Sequence, residues 1–499
     1  MASFHADGVT WSDERLWPQF AALAEANPDA IALIDCDDRR WTRGELRALA
    51  LNHARRLETV GVGRGTRVLV AGSKHAGTLA VALAASAREA TFCPYSPKLA
   101  ETELGTLEAR LGHAARVVAD AEGGAEIVPV TPASARSADP RDSDTVLIGF
   151  TSGSTGVPKA VMHGAAALNH ATRTCAAIAG LDAADSILGI VPLDSAPGFT
   201  FTAHFALSQG RALVLVDPWD PAAAMRRAVD HRSGWAIMVP THLYTMVEAA
   251  RSGAWSGRLP LRAAAVGGSA MTAELIADAE KLLGLKALRM FGMSECMGHC
   301  STRPSDSLLR RQATDGIPFP GTREEAFGVD GTELPRGVRG QAGVRGPSLF
   351  LGYAEGLGAG QERMTADGFY LTGDEIVRDD EGFVTVVGRI KDQIIRGGFN
   401  IDPAEIEAAL LRHPAIAEVA VVGVPDRKLG EQACAVCRVR EGAAPILFDT
   451  MIAHLSAQGL SRKKWPEHLV FVEAMAVGAT GKLDKRVMAA RAAAVLGRG

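Results

Sequence analysis

Residues 151–159 of the 499-residue chain read Thr151-Ser152-Gly153-Ser154-Thr155-Gly156-Val157-Pro158-Lys159. Four hydroxyls can donate hydrogen bonds, two glycines let the backbone come close to a ligand, and the closing lysine adds a point charge. These groups suit the β- and γ-phosphates of a nucleotide. The spacing is not that of a Walker loop, because Gly153 and Gly156 lie too close and Ala160 follows Lys159 where Ser or Thr is needed. The apolar run 146–150 reads as a buried strand and 160–162 as a second, so the loop joins two strands and does not open a helix. An ordinary flexible Gly/Ser loop is the plainer alternative. The coincidence of residue order, terminal lysine and preceding strand weighs against it.

The segment 150–159 resembles the signature loop of the adenylate-forming superfamily, which embraces acyl- and aryl-CoA ligases, peptide-synthetase adenylation domains and beetle luciferases. The resemblance runs over essentially the whole chain, and within the superfamily the sequence is most similar to medium-chain and cyclohexanecarboxylate-type CoA ligases. It implies ATP and Mg2+ as cofactors and CoA as co-substrate, with Thr151 and Lys159 acting in catalysis beside the rest of the loop. Phe291-Gly292-Met293-Ser294-Glu295 resembles the motif in which an aromatic ring packs on adenine, a hydroxyl meets the α-phosphate and a glutamate holds magnesium. Magnesium is a hard ion that prefers carboxylate and phosphate oxygens. Phe291 stands where the family usually has tyrosine, so stacking is kept and a phenol hydrogen bond is lost. Gly267-Gly268-Ser269, after the apolar run 263–266, resembles the loop that lies against adenine and the acyl group. Tyr370-Leu371-Thr372-Gly373-Asp374 resembles the ribose motif, in which one carboxylate accepts from two vicinal hydroxyls. Arg389 would contact the nucleotide, and Lys391 falls where relatives pivot their C-terminal domain. Thr480-Gly481-Lys482-Leu483 resembles the catalytic-lysine motif. Attack of a carboxylate on the α-phosphate brings negative oxygens together, and an ammonium bridging both stabilises the crowded transition state more than the separated substrates. Any of these short motifs alone would be bland; their order along the chain gives them weight.

The resemblance implies two half-reactions. Acid and MgATP give an acyl-adenylate with Lys482 inserted; rotation about Lys391 then brings Arg396-Gly397-Gly398-Phe399 to the site, where relatives line a pantetheine tunnel. The acyl pocket departs from the pattern, since the usual Pro-Leu-Phe-His stretch reads Pro192-Leu193-Asp194-Ser195. Ser195, His242, Gly268, Met293 and Met297 are the candidate lining residues for a small carboxylic acid, whose identity stays open. So does the acceptor: a carrier-protein thiol, an amine, or nitrite activated for diazotisation of an aryl amine are alternatives to CoA. A different class of reading is a non-catalytic nucleotide-binding protein on a decayed ligase fold. Decay should strike charged residues with no structural role, yet Glu295, Asp374 and Lys482 are all present.

These side chains need elements to hold them. The first two-thirds of the chain alternates short apolar runs, such as 67–71 and 212–216, with Ala/Leu-rich helical stretches such as 79–85, a rhythm of α/β layers. The polar segment 131–144 has neither period and reads as a surface connection. Beyond Gly388 the character changes. Asp402 as N-cap, Pro403 in the first turn and Glu405 as capping-box partner open a helix with Ile406, Ala409 and Leu410 on one face and Pro414 as its stop. Strands at 418–424 and 433–439 flank a turn at Pro425-Asp426, and a helix follows at 448–457. The expected fold is α/β: a large N-terminal α/β domain, residues 1–388, a hinge at 389–391, and a small mobile α+β C-terminal domain, 392–499, carrying the catalytic lysine.

Composition narrows the remaining classes. The length calls for two to three packed modules. A net charge of −4 gives no field for a polyanion, so nucleic acid is not an expected partner. Seven cysteines, an odd number, do not look like a disulfide framework and fit reduced thiols in a cytoplasmic protein. Cys434 and Cys437 form a CxxC without a partner pair, and Cys296, His299 and Cys300 read as pocket packing and not as a zinc site. His163 and His242 read as satisfied buried histidines. The residues Met1 to Trp11 lack the basic-then-apolar pattern of a secretory signal, and no apolar run reaches membrane-spanning length, so neither secretion nor membrane spanning is expected.

Overall fold

The computed structural model describes residues 2–130, 139–151, 159–268, 271–354, 363–397, 399–477 and 483–498. They fall into two compact units, one of residues 1–324 and 344–370, the other of 325–343 and 371–499. The second unit therefore contains 325–343 and 371–391 in addition to the stretch 392–499 read from sequence as the C-terminal domain.

The first unit carries a nine-stranded and a seven-stranded sheet. In the nine-stranded sheet, Ile31–Ile34, Leu213–Leu215, Ser186–Gly189, Ser233–Met238, Ala263–Val266 and Ala287–Met293 run parallel. Their side chains alternate between two cores. Leu33, Ile187, Leu213, Trp235 and Ala263 belong to the main core, and Ile34, Leu188, Val214, Ala236 and Ala264 to a second core on the opposite face. A strand buried on both faces must be apolar throughout, which is why these segments show no polar alternation in sequence. The main core also takes in Val68, Val70, Phe92 and Leu147 of the seven-stranded sheet, so it lies between the two sheets. Helix Ala76–Ala87, with ten buried residues, fills that layer; a helix apolar all round can only be an interior one. Among the described residues no helix is long and apolar enough to cross a membrane.

The apolar run ahead of the hydroxyl-rich loop is the strand Thr145–Thr151, paired antiparallel with Lys159–Gly164 so that Thr151 faces Lys159 across the base of the loop. The loop does join two strands. The segment before it departs from the surface reading at Asp142, which is 3% exposed and accepts from Arg67 at 2.8 Å. Residues 131–138 of that segment lie outside the described residues.

In the second unit, Ile416–Asp426 and Gly430–Val439 form an antiparallel pair. The strand runs through Pro425 and Asp426, and the turn lies at 427–429, later than expected. Ile416–Asp426 is the edge strand of its sheet, where proline's missing N–H costs no ladder bond. The helix is Pro403–Leu410, capped by Asp402 accepting from Ala404 N at 3.0 Å. Glu405 does not close a capping box; its carboxylate takes Lys464 Nζ at 2.5 Å, and the helix ends four residues before Pro414. Cys434 and Cys437, three apart on one strand, face different cores on opposite sides of the sheet and cannot act as a pair.

Candidate active site

In the first unit the motif Phe291–Glu295 sits where Ala287–Met293 turns back into Cys296–Ser301. Pairing skips from Phe291↔Cys300 to Met293↔Cys296, a bulge that Gly298 allows at φ +82; a Cβ there would stand 2.6 Å from the Phe319 ring. The turn is pinned from two sides. Ser294 O accepts from His163 Nε2 at 2.7 Å, and Glu295 O accepts from Phe350 N at 2.8 Å. Burial pushes His163 down to about 4, so the ring is neutral, and its Nε2–H is the donor that ties the strand carrying Lys159 to the motif. His163 is thus a buried structural histidine.

The Glu295 side chain, 8% exposed, accepts from the Tyr353 hydroxyl at 2.6 Å, and that hydroxyl lies 3.0 Å from the Tyr370 hydroxyl. Lys159 Nζ stands 4.5 Å above the Tyr353 ring. Burial, and then the Glu295 carboxylate, hold the Tyr353 phenol far above its ordinary range, so it stays a donor. Behind the motif, the half-buried Phe291 ring meets His299 edge-on at 4.6 Å, and His299 Nδ1 lies 3.2 Å from Glu324 Oε1 with both side chains fully buried. Burial opposes charge on His299, but Cys296 and Glu324 outweigh it and hold the group up at about 10.

Other predicted residues are spread over the same unit. Gly268 takes φ +93, and Gly267 before it lets its strand end come within 2.5 Å, measured from a would-be Cβ, of Met290 O beside Phe291. Ser195 caps the short helix Ala196–Phe199 by accepting from Gly198 N at 3.1 Å. His242 is half-buried, not fully buried, and lies edge-on to Trp219 at 4.5 Å; burial, with Lys74 nearby, pushes it down to about 4. Met293 packs beside Cys296 and Tyr370, while Met297 is 1% exposed in the main core. Asp194 backs onto Gly72, whose Cβ would come 2.7 Å from Asp194 Cα, and burial raises its carboxyl against a hydrogen bond from Ser96. Lys74 reaches the strand-end carbonyls of Ile190 and Val216, the latter at 2.8 Å. Sequence reading singled out neither Tyr353 nor Lys74.

In the second unit Asp374 and Arg389 face each other on paired strands, and Arg389 Nε donates to Asp374 Oδ1 at 2.7 Å. Asp374 is 6% and Arg389 48% exposed. Near the C-terminus, Val477 and Leu483 form a bridge, and Asp484 caps the helix Lys485–Val495, whose first residue pairs with Glu407 at 2.7 Å. Ser152, Gly153, Ser154, Thr155, Gly156, Ser269, Gly398 and Lys482 lie outside the described residues, as does the side chain of Lys391.

Residues 20–354 match the family described as AMP-binding enzyme, and residues 405–482 match the AMP-binding enzyme C-terminal domain. The chain belongs to the AMP-binding enzyme family. It is similar to the pseudomonine synthase of Pseudomonas entomophila, at 30% identity over 97% of this chain and 84% of that protein. It is also 30% identical to a feruloyl-CoA synthase of an Amycolatopsis species, covering 94% of this chain and 97% of that one. Among solved structures, ATP-bound MatB from Rhodopseudomonas palustris superposes with a TM-score of 0.84 at 23% identity, over 96% of this chain and 99% of that chain. The chain is therefore an AMP-forming ligase of the adenylate-forming fold, a large N-terminal α/β domain followed by a smaller C-terminal one.

In an AMP-binding enzyme a metal would arrive with ATP. Among the described residues no group of three or more His, Cys, Asp or Glu side chains could hold one unaided. A single carboxylate, Glu295, bonded to the tyrosine whose ring carries Lys159 over its face, is a donor set that fits Mg2+, which keeps most of its shell from water and substrate phosphates and takes one or two protein carboxylates.

Proposed function

We propose that the protein is an acid–CoA ligase that activates a compact cyclic or aromatic carboxylic acid. The observation that carries this reading is the meeting of Lys159, Tyr353 and Glu295, which sets one cation and one anion beside the loop that would cradle the triphosphate. Glu295 would hold magnesium, which when bound neutralises phosphate charge and steadies the departing pyrophosphate. Lys159 and the hydroxyls of Thr151, Ser152, Ser154 and Thr155 bind the β- and γ-phosphates. The Phe291 ring stacks on adenine beside Gly268, Ser269, Gly292 and Met293, the Ser294 hydroxyl meets the α-phosphate, and Asp374 and Arg389 take the ribose side.

In the first step a carboxylate oxygen of the acid bonds to the α-phosphorus and the bond to the bridging oxygen breaks, releasing pyrophosphate. Lys482 bridges the two oxygens that crowd together. In the second, the CoA sulfur bonds to the acyl carbon, AMP leaves with the electron pair, and the thiol proton goes to solvent. Turning about the hinge 389–391 exchanges Lys482 for the 396–399 loop. Gly397, at φ +57 between the paired strands Ile394–Arg396 and Phe399–Ile401, lets pantetheine approach the backbone. The likeness to a feruloyl-CoA synthase along nearly its full length supports the thiol acceptor. Asp194 and Ser195 give the acyl side more polarity than a fatty-acid pocket has, which suits a substituted ring.

The test is mass spectrometry of products from ATP, magnesium and an acid panel with CoA, with an aryl amine, and with nitrite plus an aryl amine. Thioester and AMP are expected in the first arm. AMP appearing only with nitrite and amine, and no thioester from any acid, would overturn the thiol reading in favour of a diazotising ligase.

A further inference from the structure

We infer that Tyr353 is a positioning residue of this site, holding Glu295 through its hydroxyl and Lys159 through its ring face, so that one side chain sets the spacing of the carboxylate and the ammonium. The inference rests on the roles proposed above for those two residues. It assigns work to a residue 58 positions from Glu295 that no motif points to.

The 2.6 Å contact has the length of a hydrogen bond to an ionised acceptor. A hydroxyl has one hydrogen, so with Tyr353 donating to Glu295 the Tyr370 hydroxyl at 3.0 Å must donate to Tyr353. The direction of the chain is fixed: Tyr370 to Tyr353 to Glu295. Such a donor steadies one oxygen of the carboxylate without cancelling its charge, as an arginine or lysine would. The ring is equally constrained. Tyr353 is 2% exposed, and Phe350 meets both Tyr353 and Tyr370 edge-on at 5.1 Å. Its face is left to Lys159, a cation–π arrangement that fixes an otherwise loose side chain.

The backbone repeats the same coupling. Tyr353 pairs with Val161 in the strand that begins at Lys159, Leu351 N and Ala354 N donate to Met162 O and Ala160 O at 2.8 Å, and Phe350 N reaches Glu295 O. Arg141 clamps the far side through Leu351 O at 3.0 Å and Tyr353 O at 2.9 Å. A Cβ at Gly352, whose φ is +130, would stand 1.9 Å from that guanidinium. Five residues, 350–354, thus touch both the exit strand of the phosphate loop and the metal-side motif, and the tyrosine among them offers both a donor and a ring face.

The experiment is calorimetric binding of a non-hydrolysable ATP analogue, with Mg2+ and with EDTA, to the full chain. Tyr353→Phe keeps the ring and removes the donor. It should cut the affinity gained from magnesium by about tenfold, the effect of one charge-assisted hydrogen bond, and leave the EDTA affinity within about twofold of wild type. Tyr353→Leu should weaken binding in both buffers. Tyr353→Phe added to Glu295→Gln should change nothing further, a coupling that a purely structural role would not produce. If Tyr353→Phe does not fold, Tyr370→Phe should give a smaller loss confined to the magnesium arm. A Tyr353→Phe protein that titrates like wild type in both buffers, while Glu295→Gln loses the magnesium gain, overturns this inference alone. Wild-type protein that binds the analogue no better with magnesium overturns the proposed role of Glu295 as well.

Discussion

Two carboxylates, one in each compact unit, are held in different ways. Glu295 is met by a neutral, buried phenol that keeps its negative charge undiminished, whereas Asp374 is met by Arg389, half exposed and charged. An ion pair with a partner that open to water is worth about 0–1 kcal/mol, so Arg389 can leave Asp374 at little cost when other donors arrive. The buried phenol is held in place from behind by the Tyr370 hydroxyl at 3.0 Å. The difference fits what each carboxylate would bind: a cation needs a fixed, uncancelled charge, and a pair of hydroxyls needs only a free acceptor.

The sharpest way to test that contrast is to take away charge on the phosphate side. Lys482→Ala is expected to slow adenylate formation by roughly 100- to 1,000-fold, the scale of one lost transition-state donor, and to leave thioester formation from supplied acyl-adenylate largely intact. Comparable losses in both half-reactions would end the division of labour. Glu295→Gln preserves an acceptor for Tyr353 and removes only charge; pyrophosphate exchange should fall about 100-fold. Asp374→Asn on the other side should raise the KM for ATP by about tenfold with a smaller effect on kcat, and equal behaviour of the two variants would break the comparison.

A smaller effect is expected at the proposed pivot. Lys391→Pro fixes φ there, and it should depress one half-reaction about tenfold more than the other in single-turnover assays of each. Unchanged rates in a folded protein would move the pivot elsewhere.

The smallest effect separates the two units by pH. In the first unit burial depresses His163, His170 and His242 to about 4 and His204 to about 3, from an unfolded value near 6.5. Neutral in the fold, they add stability that is complete above 6.5 and is lost as pH falls toward 4 and then 3. His299, held up at about 10, works in the other sense: its contribution is complete below 6.5 and is lost only as pH rises through 10. Lowering the pH from 7 to 4.5 should therefore lower the melting of the first unit, followed by calorimetry, by several degrees, at roughly 1–2 °C per kcal/mol for a unit of this size. The second unit should shift less, and the reverse order would contradict the burial argument.

Much of this was legible in the sequence, and the exceptions share a cause. The loop between Thr151 and Lys159 could be read because its strands are local and apolar, and the helix 448–457 because its period is its own. The capping box at Glu405 failed because a distant lysine, Lys464, competes for the same carboxylate. Asp142 looked like surface because its partner Arg67 is 75 residues away, and Tyr353 was missed for the same reason. Residue type and short-range spacing identify donors and acceptors, but the partner that fixes each one is chosen by the tertiary fold.

The odd spacing of Cys434 and Cys437 gives the second unit a built-in pair of reporters. Each thiol is sealed under a different face of one sheet, and neither is exposed at its surface. An alkylating reagent reaches Cys437 when the core it shares with Ile406, Leu410, Met451 and Leu455 opens, and Cys434 when the core it shares with Met488 and Ala492 does. Following the two labels by peptide mass would time the loosening of each layer separately, and would tell whether the helix that follows Lys482 peels off before the rest of its sheet comes apart.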